Sequence, residues 1–315
     1  MNLTKPERLK QGDTIGIVAP SMYIHNEQAV DRGLSFLKEL GFQVDIGPNV
    51  YSKYENTTAP AAKRAEEIMA MFERTDIKVI LCLTGGGAAS EVLDLLDYDV
   101  IHKHPTIFLG QSDITHFHLA LTARAKMMTL HGLELIWGFG AEQDNPIFKY
   151  NVDLNMKCCC STKPLGVVPH HTSWKCWRPG KAEGRLVGGL VGIVTNLAMG
   201  EYWPPFDKTI LFWEAFGGNA GKICKRFAAL EADGLFQNIT GMVIGKIVDG
   251  DGKDDEALKT ELRKQILEIT KEYELPIIAN ADFGHNGSFM PLPEGILARI
   301  DVAELKLEYL EPMVK

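Results

Sequence analysis

The segment Thr106-Ile107-Phe108-Leu109-Gly110-Gln111-Ser112-Asp113 carries the strongest fold signal in this chain. Its first five residues are mostly apolar and are typical of a buried strand, whereas residues 114–125 are typical of a helix. A serine between the two lies on a tight turn, where its hydroxyl is exposed at the positive end of the helix and backbone N–H groups can hold developing negative charge. The segment therefore predicts an α/β fold in which Ser112 is a nucleophile.

The rest of the first half alternates strands and helices. Such alternation predicts a parallel sheet that is covered by helices. The other predicted strands are Asp13–Pro20, Phe42–Ile46 and Lys78–Leu83, and the predicted helices are Glu27–Leu40, Pro60–Arg74 and Glu91–Leu96.

The pattern breaks between residues 141 and 180, where prolines, paired histidines and the run Cys158-Cys159-Cys160 occur. We interpret this stretch as a linker with a mobile loop. It separates an N-terminal α/β domain, residues 1–140, from a smaller C-terminal β/α domain, residues 181–315. The second domain has predicted strands at Thr209–Trp213, Gly241–Val248, Pro276–Ala279 and Gly295–Asp301, and a helix at Asp254–Tyr273.

Charge and composition exclude several classes of partner. The chain has 315 residues and a formal net charge of -8, which argues against nucleic acid because a phosphate backbone requires a basic face. No apolar stretch is long enough to span a membrane, and the N-terminus lacks the apolar core of a signal peptide, so we expect a cytoplasmic protein. The six cysteines include no CxxC pair, so we expect reduced thiols and no metal site.

A nucleophilic serine requires a base, and the base requires an acceptor that orients it. His285 lies in a loop just past a predicted strand, where sites form in open α/β sheets, although a lone loop histidine more often has no role. His102, His104, His116 and His118 are too close to Ser112 in sequence to be chosen. Glu214 ends the apolar strand that starts at Thr209, and its carboxylate is either solvated there or held inside a site.

Two further patterns leave alternatives open. The run Thr84-Gly85-Gly86-Gly87-Ala88 is compatible with a phosphate-binding loop, an oxyanion hole or a simple tight turn, and it matches no nucleotide-binding fingerprint. The tryptophans at 174, 177 and 203 are compatible with stacking on a ligand ring, but equally with a hydrophobic lid or a subunit contact.

Taken together, these segments resemble the LD-carboxypeptidase family of serine peptidases, which includes the microcin C immunity proteins. The resemblance covers nearly the whole chain. It rests on the order and spacing of six short segments, namely Gly12–Ser21, the glycine run after Leu83, Gly110–Thr115, Gly184–Gly189, Ile210–Glu214 and Phe283–His285.

The resemblance implies two domains with the active site at their interface, usually in a homodimer, and no metal or other cofactor. It implies Ser112 as nucleophile, His285 as general acid and base, and Glu214 as the residue that orients the histidine. The oxyanion hole would be formed by the backbone N–H groups of Gly86 and Asp113. Substrate contacts are expected from Gly85, Gly87, Trp177 and Gly189.

The same resemblance implies two substrate classes. The immunity branch cleaves the amide-type bond of peptidyl or aminoacyl adenylates, and Ser90, the stretch Leu96–Asp99 and Trp177 favour it here. The alternative is an LD-carboxypeptidase that removes terminal D-alanine from murein tetrapeptides. A second alternative is a small-molecule binding protein that has lost catalysis. A nucleotide-dependent enzyme is disfavoured because the glycine run has no phosphate-binding lysine.

The chain departs from the family pattern at three positions near the expected site. Gln111 replaces a frequent tyrosine, Leu190 a frequent asparagine, and Ala215 a frequent aspartate. None of these changes removes Ser112, Glu214 or His285, so they predict a divergent substrate pocket in an otherwise intact site.

Overall fold

The computed structural model describes residues 1–315 and contains fourteen strands in two sheets, together with eight α-helices. The strands are β1 (Thr14–Val18), β2 (Gln43–Ile46), β3 (Ile77–Cys82), β4 (Ile107–Gly110), β5 (Thr129–His131), β6 (Gly166–Val167), β7 (Lys175–Arg178), β8 (Lys181–Leu190), β9 (Thr209–Phe216), β10 (Ile239–Val248), β11 (Ile277–Ala279), β12 (Leu292–Glu294), β13 (Leu297–Asp301) and β14 (Lys306–Tyr309). The helices are α1 (Glu27–Glu39), α2 (Ala61–Glu73), α3 (Tyr98–Lys103), α4 (Thr115–Arg124), α5 (Phe148–Cys160), α6 (Val191–Leu197), α7 (Ala220–Ala232) and α8 (Glu256–Ile269).

The first sheet has the order β12-β5-β4-β3-β1-β2, and all its strands are parallel except β12. Strands β3 and β4 are almost continuously apolar and buried, as expected for strands covered by helices on both faces. This confirms the α/β fold and the parallel N-terminal sheet that the alternation of elements predicts.

The second sheet has the order β6-β14-β13-β8-β9-β10-β11-β7. Its central strands β8, β9, β10 and β11 are parallel. The pairings outside them are all antiparallel, namely β7 with β11, β13 with β8, β14 with β13 and β6 with β14. With eight strands against six, it is the larger of the two sheets. The long antiparallel edge had no clear sequence signal, because β6 and β14 have only two and four residues.

The interpretation of residues 141–180 as a linker is wrong. Helix α5 packs a buried face of Phe148, Val152, Cys158 and Cys159 into the core, because a buried free cysteine behaves as a small apolar residue. All six cysteines are free. Strand β7 then completes the edge of the second sheet beside β11, so this stretch is an integral part of the fold.

The two halves of the chain are connected through the N-terminal sheet. Strand β12 belongs to the C-terminal half, yet it pairs with β5 at the edge of the first sheet. One continuous apolar core contains residues from both sheets. No helix combines the length and apolar character that crossing a membrane requires.

Candidate functional site

The predicted tight turn at Ser112 is present, and its backbone is strained. Strand β4 ends at Gly110, and a single 3₁₀ turn from Ser112 to Ile114 continues directly into α4. Ser112 has φ = 61°, in the left-handed region that residues with a side chain seldom occupy. Such a conformation costs on the order of 1–3 kcal/mol and persists only where surrounding contacts impose it.

The next residue, Asp113, supplies those contacts. Its buried carboxylate accepts hydrogen bonds from the Ser21 hydroxyl at 2.5 Å, the Ala89 backbone N–H at 2.8 Å and the His116 Nδ1 at 3.1 Å. Burial alone would raise the pKa of Asp113, but the bonds from His116, Ser21 and Ala89 outweigh it and hold the pKa below its ordinary value. The charged carboxylate thereby ties the Ser112 turn to the first strand–loop segment and to the end of the glycine run.

The structure brings Ser112, His285 and Glu214 into one hydrogen-bonded chain. The Nε2 of His285 lies 2.9 Å from the Ser112 Oγ, and its Nδ1 lies 3.0 Å from the Glu214 Oε2. The Glu214 side chain is only 1% exposed and that of His285 is 15% exposed. Strand β9 continues to Phe216, so Glu214 lies inside the strand and not at its end as the sequence suggested.

The loop that carries His285 is held by its neighbours on both sides. Phe216 stacks on the imidazole with ring centroids 4.5 Å apart. Asn151 of α5 donates to the Gly287 carbonyl at 2.8 Å and accepts from the Phe289 N–H at 2.9 Å. The sequence did not identify Asn151 as a positioning residue, because we assigned its segment to the linker.

The charge environment of His285 favours the protonated ring. Burial by itself would lower the pKa of His285, but the charge and hydrogen bond of Glu214, with a smaller contribution from the charge of Glu134, raise it above its ordinary value. The imidazolium that forms when the ring takes a proton is therefore stabilised in place.

The glycine run approaches Ser112 closely. A Cβ atom at Gly85 would lie 2.8 Å from the Ser112 Cβ, so only glycine fits there. Gly86 has φ = 150°, which L-residues rarely adopt. Neither its N–H nor that of Asp113 donates to a backbone carbonyl, so both donors are available to a ligand.

A cavity of about 560 Å³ opens onto Ser112 and His285. Gly85 and Gly86 line it, as do two of the three departures from the family pattern, Gln111 and Leu190. The third, Ala215, is buried in β9. Two exposed aromatic side chains also line the cavity, namely Trp137 (54% exposed) and Phe216 (44% exposed).

Three residues that we expected to contact substrate do not line this cavity. Trp177 lies on β7, packs against the core of the second sheet and lines a separate cavity of about 350 Å³. Gly87 lines another neighbouring cavity. Gly189 faces Thr115 of α4 and brings the second sheet close to that helix. The position of Trp177 follows from strand formation, because pairing with β11 draws the expected loop into the sheet.

One carboxyl group in the cavity has no clear signal in the sequence. Glu134 lines the cavity although it is only 1% exposed, and its Oε1 accepts a hydrogen bond from the Thr84 hydroxyl at 3.0 Å. Burial raises its pKa to about 7, although the Thr84 bond, the charge of His285 and, to a smaller extent, the nearby backbone N–H groups of Gly85 and Trp137 lower it. The available signal was its place just past a strand, but β5 has only three residues.

Two of the histidines that are close to Ser112 in sequence bond other groups. His118 is buried, and its ring bonds Thr129 and the Gly110 carbonyl, while burial lowers its pKa to about 4. His102 faces the Ala125 carbonyl. No three histidine, cysteine or carboxylate side chains converge in a way that could hold a metal ion.

Comparison with known proteins covers both halves of the chain. Residues 15–132 match the LD-carboxypeptidase N-terminal domain and residues 183–300 match the LD-carboxypeptidase C-terminal domain. The chain is 26% identical over 306 residues to a probable murein peptide carboxypeptidase of Bacillus subtilis, covering 95% of this chain and 92% of that protein. It is 25% identical over 323 residues to the microcin C7 self-immunity protein MccF of Escherichia coli, covering 93% and 92%.

Solved structures agree with these matches. MccF in complex with aspartyl sulfamoyl adenosine superposes with a TM-score of 0.88 at 22% identity, over 99% of this chain and 100% of that one. A MccF-like protein from Bacillus anthracis has a TM-score of 0.86 at 25% identity, over 97% and 99%. The two-domain matches, together with this shared fold, establish that the chain belongs to the LD-carboxypeptidase family, as its sequence motifs predict.

Proposed function

We propose that this protein is a serine-dependent amide hydrolase in which Ser112, His285 and Glu214 form a catalytic triad. The observation that carries the proposal is the continuous hydrogen-bonded chain from the Ser112 Oγ through both imidazole nitrogens to the buried Glu214 carboxylate. Its location at the end of parallel strands and beside an open cavity is typical of α/β hydrolytic sites.

The chemistry proceeds in two stages. Glu214 accepts a hydrogen bond from the Nδ1–H of His285, which leaves Nε2 free to take the Ser112 proton as the Oγ attacks the amide carbonyl carbon. The N–H groups of Gly86 and Asp113 hold the oxyanion. His285 then gives its proton to the leaving nitrogen as the C–N bond breaks, and an acyl ester remains on Ser112.

Water completes the cycle. His285 takes one proton from a water molecule whose oxygen attacks the ester carbonyl, and it returns that proton to the Ser112 oxygen as the C–O bond breaks. The products are a free carboxylic acid and an amine, and the enzyme is regenerated without any cofactor in this scheme.

For the substrate we propose the bond between an aminoacyl or peptidyl group and a nucleotide-like leaving group. MccF, whose fold this chain shares, has been solved with aspartyl sulfamoyl adenosine and with glutamyl sulfamoyl guanosine. The exposed faces of Trp137 and Phe216 at the cavity support the proposal, since a base stacked on an aromatic ring gains roughly 1–3 kcal/mol.

The second candidate is removal of terminal D-alanine from murein tetrapeptides. Its support is the relative named as a probable murein peptide carboxypeptidase, at an identity close to that of MccF. We further propose a homodimer in the cytoplasm, on the resemblance to the family.

The test is turnover followed by mass spectrometry with two substrates, an aminoacyl sulfamoyl adenosine and a murein tetrapeptide ending in D-alanine. Ser112→Ala should reduce turnover by about 10³-fold or more. Ser90→Ala is the matched control, because Ser90 follows the glycine run but does not line the cavity. Release of the free amino acid supports the first substrate, and release of D-alanine supports the second.

The remaining alternative is a binding protein without catalysis. A fluorophosphonate probe that labels wild type but not Ser112→Ala would contradict it. Binding of either substrate without turnover or labelling would instead contradict the hydrolase proposal.

A further inference from the structure

The carboxyl group of Glu134 is only half satisfied by the protein. Its Oε1 accepts the hydrogen bond from Thr84, whereas its Oε2 is buried and has no hydrogen-bond partner. A buried polar atom without a partner costs free energy, so it usually marks either a defect or a place for a ligand. Because Glu134 lines the same cavity as Ser112 and His285, a ligand is the more direct explanation.

The charge around the cavity indicates the kind of ligand group. Two carboxyl groups line the cavity, those of Glu134 and Asp251, and no lysine or arginine does so. His285 contributes a charge only when it is protonated, and its two nitrogens already bond Ser112 and Glu214. A permanently charged partner for Glu134 would therefore come from the substrate. With a pKa of about 7, Glu134 is readily ionised by a cation that binds beside it.

The glycine run connects Glu134 to the part of the site where the scissile carbonyl would bind. Thr84 holds the carboxyl group and is followed directly by Gly85, which touches Ser112, and by Gly86, whose N–H we assign to the carbonyl oxygen. Glu134 is thus held at the end of the site where Gly86 would bind the carbonyl oxygen. His285, which must reach the leaving nitrogen, approaches Ser112 from the second sheet.

We propose that Glu134 binds a primary ammonium group on the acyl portion of the substrate, and so selects substrates whose amine is free. The inference rests on the proposed hydrolase function and narrows its substrate class. An aminoacyl nucleotide offers its α-ammonium beside the scissile carbonyl, and a murein peptide offers the free amine of its diamino acid. Acylation of that amine removes the charge and one donor, so acylated substrates should be poor.

The experiment compares each substrate with a counterpart that is acetylated on the amine in question, at pH 7. For alanyl sulfamoyl adenosine this is the α-amine, and for the murein tetrapeptide it is the free amine of the diamino acid. We expect wild type to favour the free amine by at least about tenfold in kcat/KM, because a charged hydrogen bond is lost on acetylation. Glu134→Gln keeps the shape of the side chain and should bring the ratio close to one. The substrate that is turned over identifies the source of the ammonium group.

The ratio of kcat/KM between the free-amine and the acetylated substrate separates recognition of the amine from a general change in catalysis. Any change that Glu134→Gln causes in His285 alters both forms equally and cancels. Glu142→Gln is the matched control, since Glu142 is exposed on the following segment and pairs with Arg32 outside the cavity; it should retain the wild-type ratio. A wild-type ratio near one, or an unchanged preference in Glu134→Gln, would overturn the proposal.

The ammonium site can still be tested if the protein is not a hydrolase. If neither substrate is turned over, titration calorimetry with the same pairs measures the ratio of dissociation constants for wild type and Glu134→Gln. A preference for the free amine that depends on Glu134 would support the ammonium site in a binding protein, and its absence would contradict it.

Discussion

At the scale of single residues, the proposed function depends on the charge that His285 experiences. Glu214 and Glu134 together raise its pKa above the ordinary value of about 6.5, against the opposing effect of burial. A base must be neutral to accept a proton, so kcat/KM should fall as the pH decreases through the raised pKa of His285. Removing a nearby negative charge should move that fall to lower pH.

Glu134→Gln provides this test. Because the charge of Glu134 raises the pKa of His285, the glutamine variant should stay active at a lower pH than wild type. The measurement is the pH dependence of kcat/KM on an N-acetylated substrate, which avoids the proposed ammonium contact. If the decrease of kcat/KM at acidic pH occurs at the same pH as in wild type, or at a higher pH, the assignment of His285 as the base would be contradicted.

At the scale of loops and strands, Asp282 connects the segment before β7 to the loop after β11. Its fully buried carboxylate accepts hydrogen bonds from the His171 N–H at 2.7 Å, from the Thr172 hydroxyl and from the Trp174 Nε1 at 2.9 Å. It also lies 3.5 Å from the Nζ of Lys246, which is itself buried. This contact set explains why a stretch that the sequence suggests is mobile has a fixed position.

Asp282→Asn should therefore destabilise the protein strongly. The change leaves Lys246 buried without a counter-charge, and breaking a buried pair costs about 3–5 kcal/mol. Urea unfolding measures the loss of free energy, and limited proteolysis near Thr172 should become faster. Glu183→Gln breaks only an exposed pair with Arg299 and should cost less than about 1 kcal/mol. Equal effects of both variants would show that the Asp282 contacts contribute little.

What the sequence could predict at this scale depends on the length of each element. Strands such as β3 and β10 are long apolar runs, and helices such as α1 have a clear period and end at glycine, so their positions were predicted to within a few residues. Strands β5 and β12 have three residues each and give no periodic signal. Their existence depends on pairing between distant segments, which local sequence does not encode.

For the candidate site, too, prediction succeeded where the residues lie beside elements long enough to be recognised in the sequence. Ser112, Glu214 and His285 lie at or near the ends of recognisable strands, and the structure places them within hydrogen-bonding distance. Glu134 follows the unrecognised β5, and Asn151 lies on a helix that we assigned to a linker. Trp177 was misplaced for a related reason, since its position is set by the pairing of β7 with β11.

At the scale of the whole molecule, the site depends on both sheets at once. Ser112 and the glycine run follow strands of the first sheet, whereas Glu214 and His285 belong to the second half of the chain. Direct contacts hold the halves in register, including the Leu190 N–H bonded to the Thr115 hydroxyl at 3.1 Å and the Asn155 amide bonded to the Phe289 carbonyl at 2.6 Å. Small relative movements would separate Ser112 from His285.

Strand β12 belongs to the second half of the chain but pairs within the first sheet. This predicts that the chain unfolds as one unit. Leu292 is fully buried within the first sheet although it belongs to the second half, so Leu292→Ala should cost about 2–5 kcal/mol. Hydrogen exchange in increasing urea gives the opening free energies of β1 and β10 separately. If folding is cooperative, the two values coincide in wild type and fall equally in the variant. A decrease confined to β1 would show that the halves unfold independently, and the Ser112–His285 contact would then have to form by docking of two preformed units.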